Sequence, residues 1–111
     1  MTAEKDTTGR RLWRLQTKIT AEDGIAVLYV GGRIGHAEAA ELEAAVLPHA
    51  AGPDDVVIDL SGVDYLSSPA LRILEFVAER QAGRGGRLRL RAPSVAARLA
   101  LELSGLGGLV V

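Results

Sequence analysis

The most constraining feature of this chain lies between residues 56 and 78. VVIDL opens with three consecutive β-branched residues, and after the link SGVDYLSSP the apolar residues Ala70, Ile73, Leu74, Val77 and Ala78 recur at helical spacing. A continuous apolar run of strand length suits a central strand covered on both faces. A helix with a single apolar face needs a surface to bury it, and the neighbouring strand implies a sheet. The pair therefore predicts an α/β domain rather than a bundle or a sandwich.

The rest of the chain repeats this alternation. LWRLQTKI (12–19) alternates between two registers, as a half-exposed strand does. Glu22-Asp23-Gly24 supplies hairpin turn chemistry before a more deeply buried strand, IAVLYVG (25–31). Ala39, Leu42 and Val46 then recur at helical spacing, with Glu38, Glu41 and Glu43 for the wet side, which predicts a helix over about 36–47. AAGPDD reads as a loop and VVIDL as a short central strand. The second helix ends before the breaker GRGG (83–86). RLRLR (87–91) is strand-like, Pro93 and Ser94 mark a third helix with Val95, Leu99 and Leu103 in step, and LVV begins a last strand. The predicted order is β-β-α-β-α-β-α-β, a small mixed sheet with helices packed on it. Residues 1–11 read as a polar leader and 12–111 as one domain.

Composition narrows the chemistry. Apolar residues at 48% and charged residues at 24% suit a folded domain, and the absence of cysteine excludes disulfide, thiol and cysteine–zinc chemistry. Net charge is −1 but segregated: residues 22–64 carry nine acids against Arg33, and residues 72–98 carry seven arginines against Glu75 and Glu79. Such asymmetry can steer a protein partner or bind nucleic acid weakly. Arg87, Arg89 and Arg91 alternate along one strand, however, so a solvated sheet face accounts for them, and four aromatic residues offer no evident platform for stacking bases. No apolar stretch is long enough to span a bilayer and the leader lacks a signal-peptide core, so a cytoplasmic location is the expectation.

Ser67 and Ser68, ahead of Pro69, carry the question of function. Proline is comfortable at the first helical position, which makes Ser68 the expected N-cap. A catalytic serine would need a base, and His36 and His49 are the only histidines, with no evident acid to orient either and no G-x-S-x-G elbow. Asp54, Asp55 and Asp59 lack the spacing of a metal site, and GGRIG (31–35) is not a phosphate-binding motif, its glycines reading as backbone relief at a strand–helix junction. Neither a cofactor, a metal nor catalytic turnover is expected.

VVIDLSGVDYLSSPALRIL, together with VLYVGGRIG upstream, resembles the STAS domain family, the sulfate-transporter and anti-sigma factor antagonist fold. The match in element order runs over residues 12–111. The resemblance implies a non-enzymatic switch module that binds proteins, above all GHKL-type serine kinases that double as anti-sigma factors. In that pattern, phosphorylation of a serine at the start of the second helix breaks the complex. A phosphate placed there alters a surface the partner must cover.

This chain departs from the pattern where it matters. The family's usual Asp-Ser-Ser-Gly-Leu is here Ser67-Ser68-Pro69-Ala70-Leu71, so Pro69 occupies the phosphoacceptor position and Ser67 replaces the acid. Gly35 stands where regulated members carry an aspartate. Three readings follow: an antagonist always competent to bind; a phosphorylation site moved to Ser68 or Ser67, about 100° around the helix start; or a STAS-like subunit of another assembly, such as an ABC-type lipid transport ATPase. The partner surface implied comprises Arg33, Gly35, His36, Ser67, Ser68, Pro69, Arg72 and Glu75. Many relatives continue with a closing helix after the last strand; without it, an uncovered apolar edge or face would sit against a partner or a second copy.

Overall fold

The computed structural model describes residues 15–50 and 54–111. Its elements are β1 (Gln16–Glu22), β2 (Ile25–Ile34), α1 (His36–Val46), β3 (Val56–Leu66), α2 (Ser68–Ala82), β4 (Leu88–Arg91) and α3 (Val95–Leu103), with short 3-10 turns at Leu47–His49 and Gly107–Leu109. The expected α/β class and element order hold through the third helix. The sheet runs β1-β2-β3-β4, antiparallel at β1–β2 and parallel thereafter.

The hairpin forms where its turn residues stand. Asp23 and Gly24 both take positive φ, 53° and 80°, between the paired residues Glu22 and Ile25. That twist matches the twist of the flanking strands. The predicted leader and residues 12–14 of the first strand lie outside the described residues, as do residues 51–53 of the AAGPDD loop.

One core collects Leu28 and Val30 of β2, Val56, Ile58 and Leu60 of β3, and Leu88 and Leu90 of β4. Ala39, Leu42 and Val46 of α1, Ala70, Leu74 and Val77 of α2, and Ala97 and Leu101 of α3 pack into the same cluster. The intervening strand positions Tyr29, Asp59 and Arg91 align across three strands on the opposite side of the sheet.

Four expectations are corrected. The central strand is not short: β3 continues to Leu66, because two register shifts, between Tyr29 and Gly31 and between Gly32 and Arg33, let pairing resume at Gly31↔Gly62 and reach Ile34↔Leu66. Gly31 and Gly32 consequently lie inside β2 rather than at its junction with the helix. A Cβ on Gly62 would stand 3.2 Å from both the Gly31 Cα and the Val30 carbonyl oxygen, so the strands approach this closely only because the site is glycine.

The last strand is reduced to a single bridge, Leu90↔Val110, with the Val111 amide donating to the Leu90 carbonyl oxygen at 2.9 Å. The 3-10 turn at Gly107–Leu109 takes up the residues that would otherwise have extended it. Finally, α3 buries Ala97 and Leu101, not the stripe of Val95, Leu99 and Leu103. Both sets recur every fourth residue, and the periodicity does not distinguish them. The direction of the chain out of β4, through Ala92 at φ 57° and the Ser94 cap, sets the rotation of the helix.

Candidate functional site

Parallel pairing brings the ends of β2 and β3 side by side, Arg33 against Tyr65 and Ile34 against Leu66. The Ser67 amide then donates to the Ile34 carbonyl oxygen at 2.9 Å, which ties the β3–α2 junction to the β2–α1 junction. On the α1 side, Gly35 is the N-cap and its amide donates to Glu38 Oε1 at 3.0 Å, the carboxylate half of a capping box. His36 follows as the first helical residue and is exposed.

On the α2 side the cap is Ser67, not the expected Ser68. Its Oγ accepts from the Ala70 amide at 3.3 Å and its carbonyl oxygen accepts from Leu71 at 3.0 Å. Sheet pairing explains the displacement: with its amide committed to Ile34, Ser67 stays extended (φ −78°, ψ 168°), and the helix starts directly after it. Pro69 therefore occupies the second helical position, where its missing N–H still removes no intrahelical bond. The two serines part company. Ser67 is 4% exposed with its hydroxyl engaged in the cap, whereas Ser68 is open to solvent.

From Ser68 a polar stripe runs outward along α2 through Arg72, Glu75 and Glu79, all exposed, while Leu71 beside it is half-buried. The start of this stripe borders a shallow groove lined by Ser68, Leu71, Arg72 and Glu75 on one side and Ser104 and Leu106 on the other. Arg33 lies over the Tyr65 ring, its guanidinium carbon 3.9 Å from the centroid, close enough for a cation–π contact at the exposed strand ends. Ile34 and Ser67 thus connect Gly35 and His36 to the serine pair, while Arg72 and Glu75 extend the surface along α2. Glu75 lies about 10 Å of helix axis beyond Ser68.

The sequence did not single out Tyr65, Ser104 and Leu106 for this surface. Tyr65 becomes visible only through the β2–β3 register, and Ser104 and Leu106 through the path of the chain after α3. The serine–histidine pairing considered from sequence finds no support among the described residues: the hydrogen bonds of Ser67 run to Ile34, Ala70 and Leu71. Among the described residues no three His, Asp or Glu side chains converge on a metal site.

The far side of the sheet carries a separate polar network. Arg91 donates from Nε to Asp59 Oδ2 at 2.8 Å, from one terminal nitrogen to Glu22 Oε1 at 3.2 Å, and from the other to the Tyr29 hydroxyl at 2.8 Å. That hydroxyl donates to Glu22 Oε2 at 2.7 Å, and Asp59 Oδ1 accepts from the Ser61 amide and hydroxyl at 2.9 and 2.6 Å. Hydrogen bonds from Arg91 and then Tyr29 hold the Glu22 carboxyl below its ordinary value, and the bond to Glu22 raises the Tyr29 phenol. Burial pushes Asp59 up, but the hydrogen bonds from Ser61 and Arg91 together outweigh it and leave the carboxyl lowered. Arg89 pairs with Asp55 at 3.3 Å. The alternating arginines are thus partly tied to acids of the sheet and its loops, beyond the solvated face expected of them.

The family described as Mlab, STAS domain matches residues 17–111. The chain belongs to the STAS domain family. It is 41% identical over 63 residues to the anti-sigma-F factor antagonist RsfB of Mycobacterium tuberculosis, a match that takes in 56% of this chain and 52% of RsfB. The match therefore spans about half the length of that relative. The crystal structure of an anti-sigma factor antagonist from Mycobacterium paratuberculosis superposes with a TM-score of 0.76 at 34% identity, over 85% of this chain and 80% of that one. The Bacillus protein SpoIIAA, in its unphosphorylated form, superposes with a TM-score of 0.72 at 17% identity, over 87% and 85% of the two chains, a likeness of fold. No described helix of the present STAS domain is long and apolar enough to cross a membrane.

Proposed function

We propose that this STAS domain is an anti-sigma factor antagonist that acts in the cytoplasm by protein contact, without catalysis, and that its partner is a GHKL-type serine kinase serving as the anti-sigma factor. The relatives named above support the antagonist role, and the exposed start of α2 supports the contact surface. One observation carries the reading of its control. Pro69 stands in the first turn of α2 and has no hydroxyl to modify, and the resemblance implies that the family's phosphoacceptor serine would stand there.

Ser67 does not replace it, because its hydroxyl is buried in the cap. Ser68 is the accessible hydroxyl of the pair, one residue before Pro69 and turned about 100° around the helix. The domain then binds its partner constitutively through Arg33, Gly35, His36, Ser68, Pro69, Arg72 and Glu75. Affinity capture of the tagged chain from its own organism's lysate, with mass spectrometry of bait and prey, tests this. A serine kinase recovered with unmodified bait supports it; bait phosphorylated on Ser68 shows that the switch moved rather than vanished.

A second reading, which the STAS resemblance also allows, is an accessory subunit of an ABC-type lipid transport ATPase. Recovery of such an ATPase and no kinase would favour it.

A further inference from the structure

The stripe of α3 that points away from the core is apolar. Val95, Leu99 and Leu103 are 88%, 54% and 79% exposed, and they follow one another every fourth residue. They form a ridge about 12 Å long, of the kind that packs into the grooves of another helix. Scattered single apolar residues on a surface need no explanation, but three large ones in line on one helix do.

The charges beside the ridge indicate what fits it. Arg98 and Glu102 are one turn apart on the same flank of the ridge, and both are exposed. Neither makes an ion pair among the described residues. An arginine followed by a glutamate along one flank is self-complementary under a twofold axis perpendicular to the helix. Such an axis sets the same flank of a second copy alongside in reverse order, so Arg98 of each copy meets Glu102 of the other.

We infer that α3 is a self-association surface, on which a second copy of this chain packs antiparallel through Val95, Leu99 and Leu103 and exchanges two Arg98–Glu102 pairs. Interdigitated rows of every fourth residue cross at about −50°. The ridge alone supplies well under the roughly 800 Å² per partner of a standard interface, so the dimer is weak and dissociates on dilution. The arrangement is isologous and closes at two copies.

Sedimentation equilibrium of the full chain from about 10 µM to about 1 mM covers the range of such an association. The weight-average mass should rise from 11.7 kDa towards twice that value. Leu99→Glu should hold it at the monomer. Arg98→Glu and Glu102→Arg should each weaken self-association, because each places like charges opposite one another. An equimolar mixture of those two variants should associate more tightly than either alone, since every charge then meets its opposite. A chain monomeric throughout, a dimer that survives Leu99→Glu, or a mixture no tighter than its components overturns the inference. A monomer whose Leu99→Glu variant loses capture of another protein also overturns it, and assigns the ridge to that protein.

Discussion

The amide of Ser67 is bonded to the carbonyl oxygen of Ile34, 2.9 Å away on the neighbouring strand. This one bond fixes Ser67 as the last extended residue before α2 and so decides which of two adjacent serines caps the helix and which faces solvent.

Substituting the two serines should therefore give unequal results. Ser67→Ala removes the Oγ acceptor of the Ala70 amide and should cost about 1 kcal/mol, the usual worth of an N-cap. Ser68→Ala, at an exposed position, should stay within about 0.5 kcal/mol of the parent. Urea denaturation of the two variants measures both, and a larger loss for Ser68→Ala would overturn the cap assignment.

Arg72 offers a separation of binding from stability. It is exposed on the outward stripe of α2, so Arg72→Glu should change unfolding free energy by no more than about 0.5 kcal/mol. Its capture of the proposed partner should fall about tenfold or more, equivalent to about 1.4 kcal/mol. Titration of the partner with both proteins, beside thermal melts, reads the two effects apart.

Asp59 should shape the acid limb of stability. Its carboxyl is lowered in the folded state, so its contribution is complete above the unfolded value of about 3.9 and is lost as pH falls through the lower folded value. Glu22 shifts in the same direction and adds to the same window. Asp59→Asn should be less stable than the parent at neutral pH by on the order of 1–2 kcal/mol, and the gap should narrow below about pH 4. Denaturant midpoints across pH 2.5–7 test it, taking that interval as roughly the carboxylate range; a gap that widens in acid would contradict the sign.

The close approach of β2 and β3 makes Gly62 intolerant of a side chain. Gly62→Ala places a Cβ 3.2 Å from two backbone atoms and should cost about 1–3 kcal/mol. Gly108→Ala, with nothing within 4 Å of its Cβ, should be neutral or slightly stabilising. Thermal melts of the pair, run side by side, distinguish a packing constraint from a general dislike of alanine.

Local signals were legible wherever a residue type answers to its own backbone. The Asp23-Gly24 turn, the span of α2 and the Ser94 cap of α3 follow from chain chemistry alone, because turns, caps and periodicity depend on neighbours within a few residues. The STAS pattern around VVIDLSGVDYLSSPALRIL was equally plain, since the family matches residues 17–111.

What depended on contacts distant in sequence was not. The extension of β3 to Leu66, the cap at Ser67, the stacking of Arg33 on Tyr65 and the outward turn of Val95, Leu99 and Leu103 were decided by the β2–β3 register and by how α3 leaves β4. Hydrophobic period names two candidate faces for α3 but carries no information about rotation relative to a sheet. Strand pairing, once formed, leaves an amide such as that of Ser67 one partner within reach, and the local preference of Ser68 for the cap gives way to it.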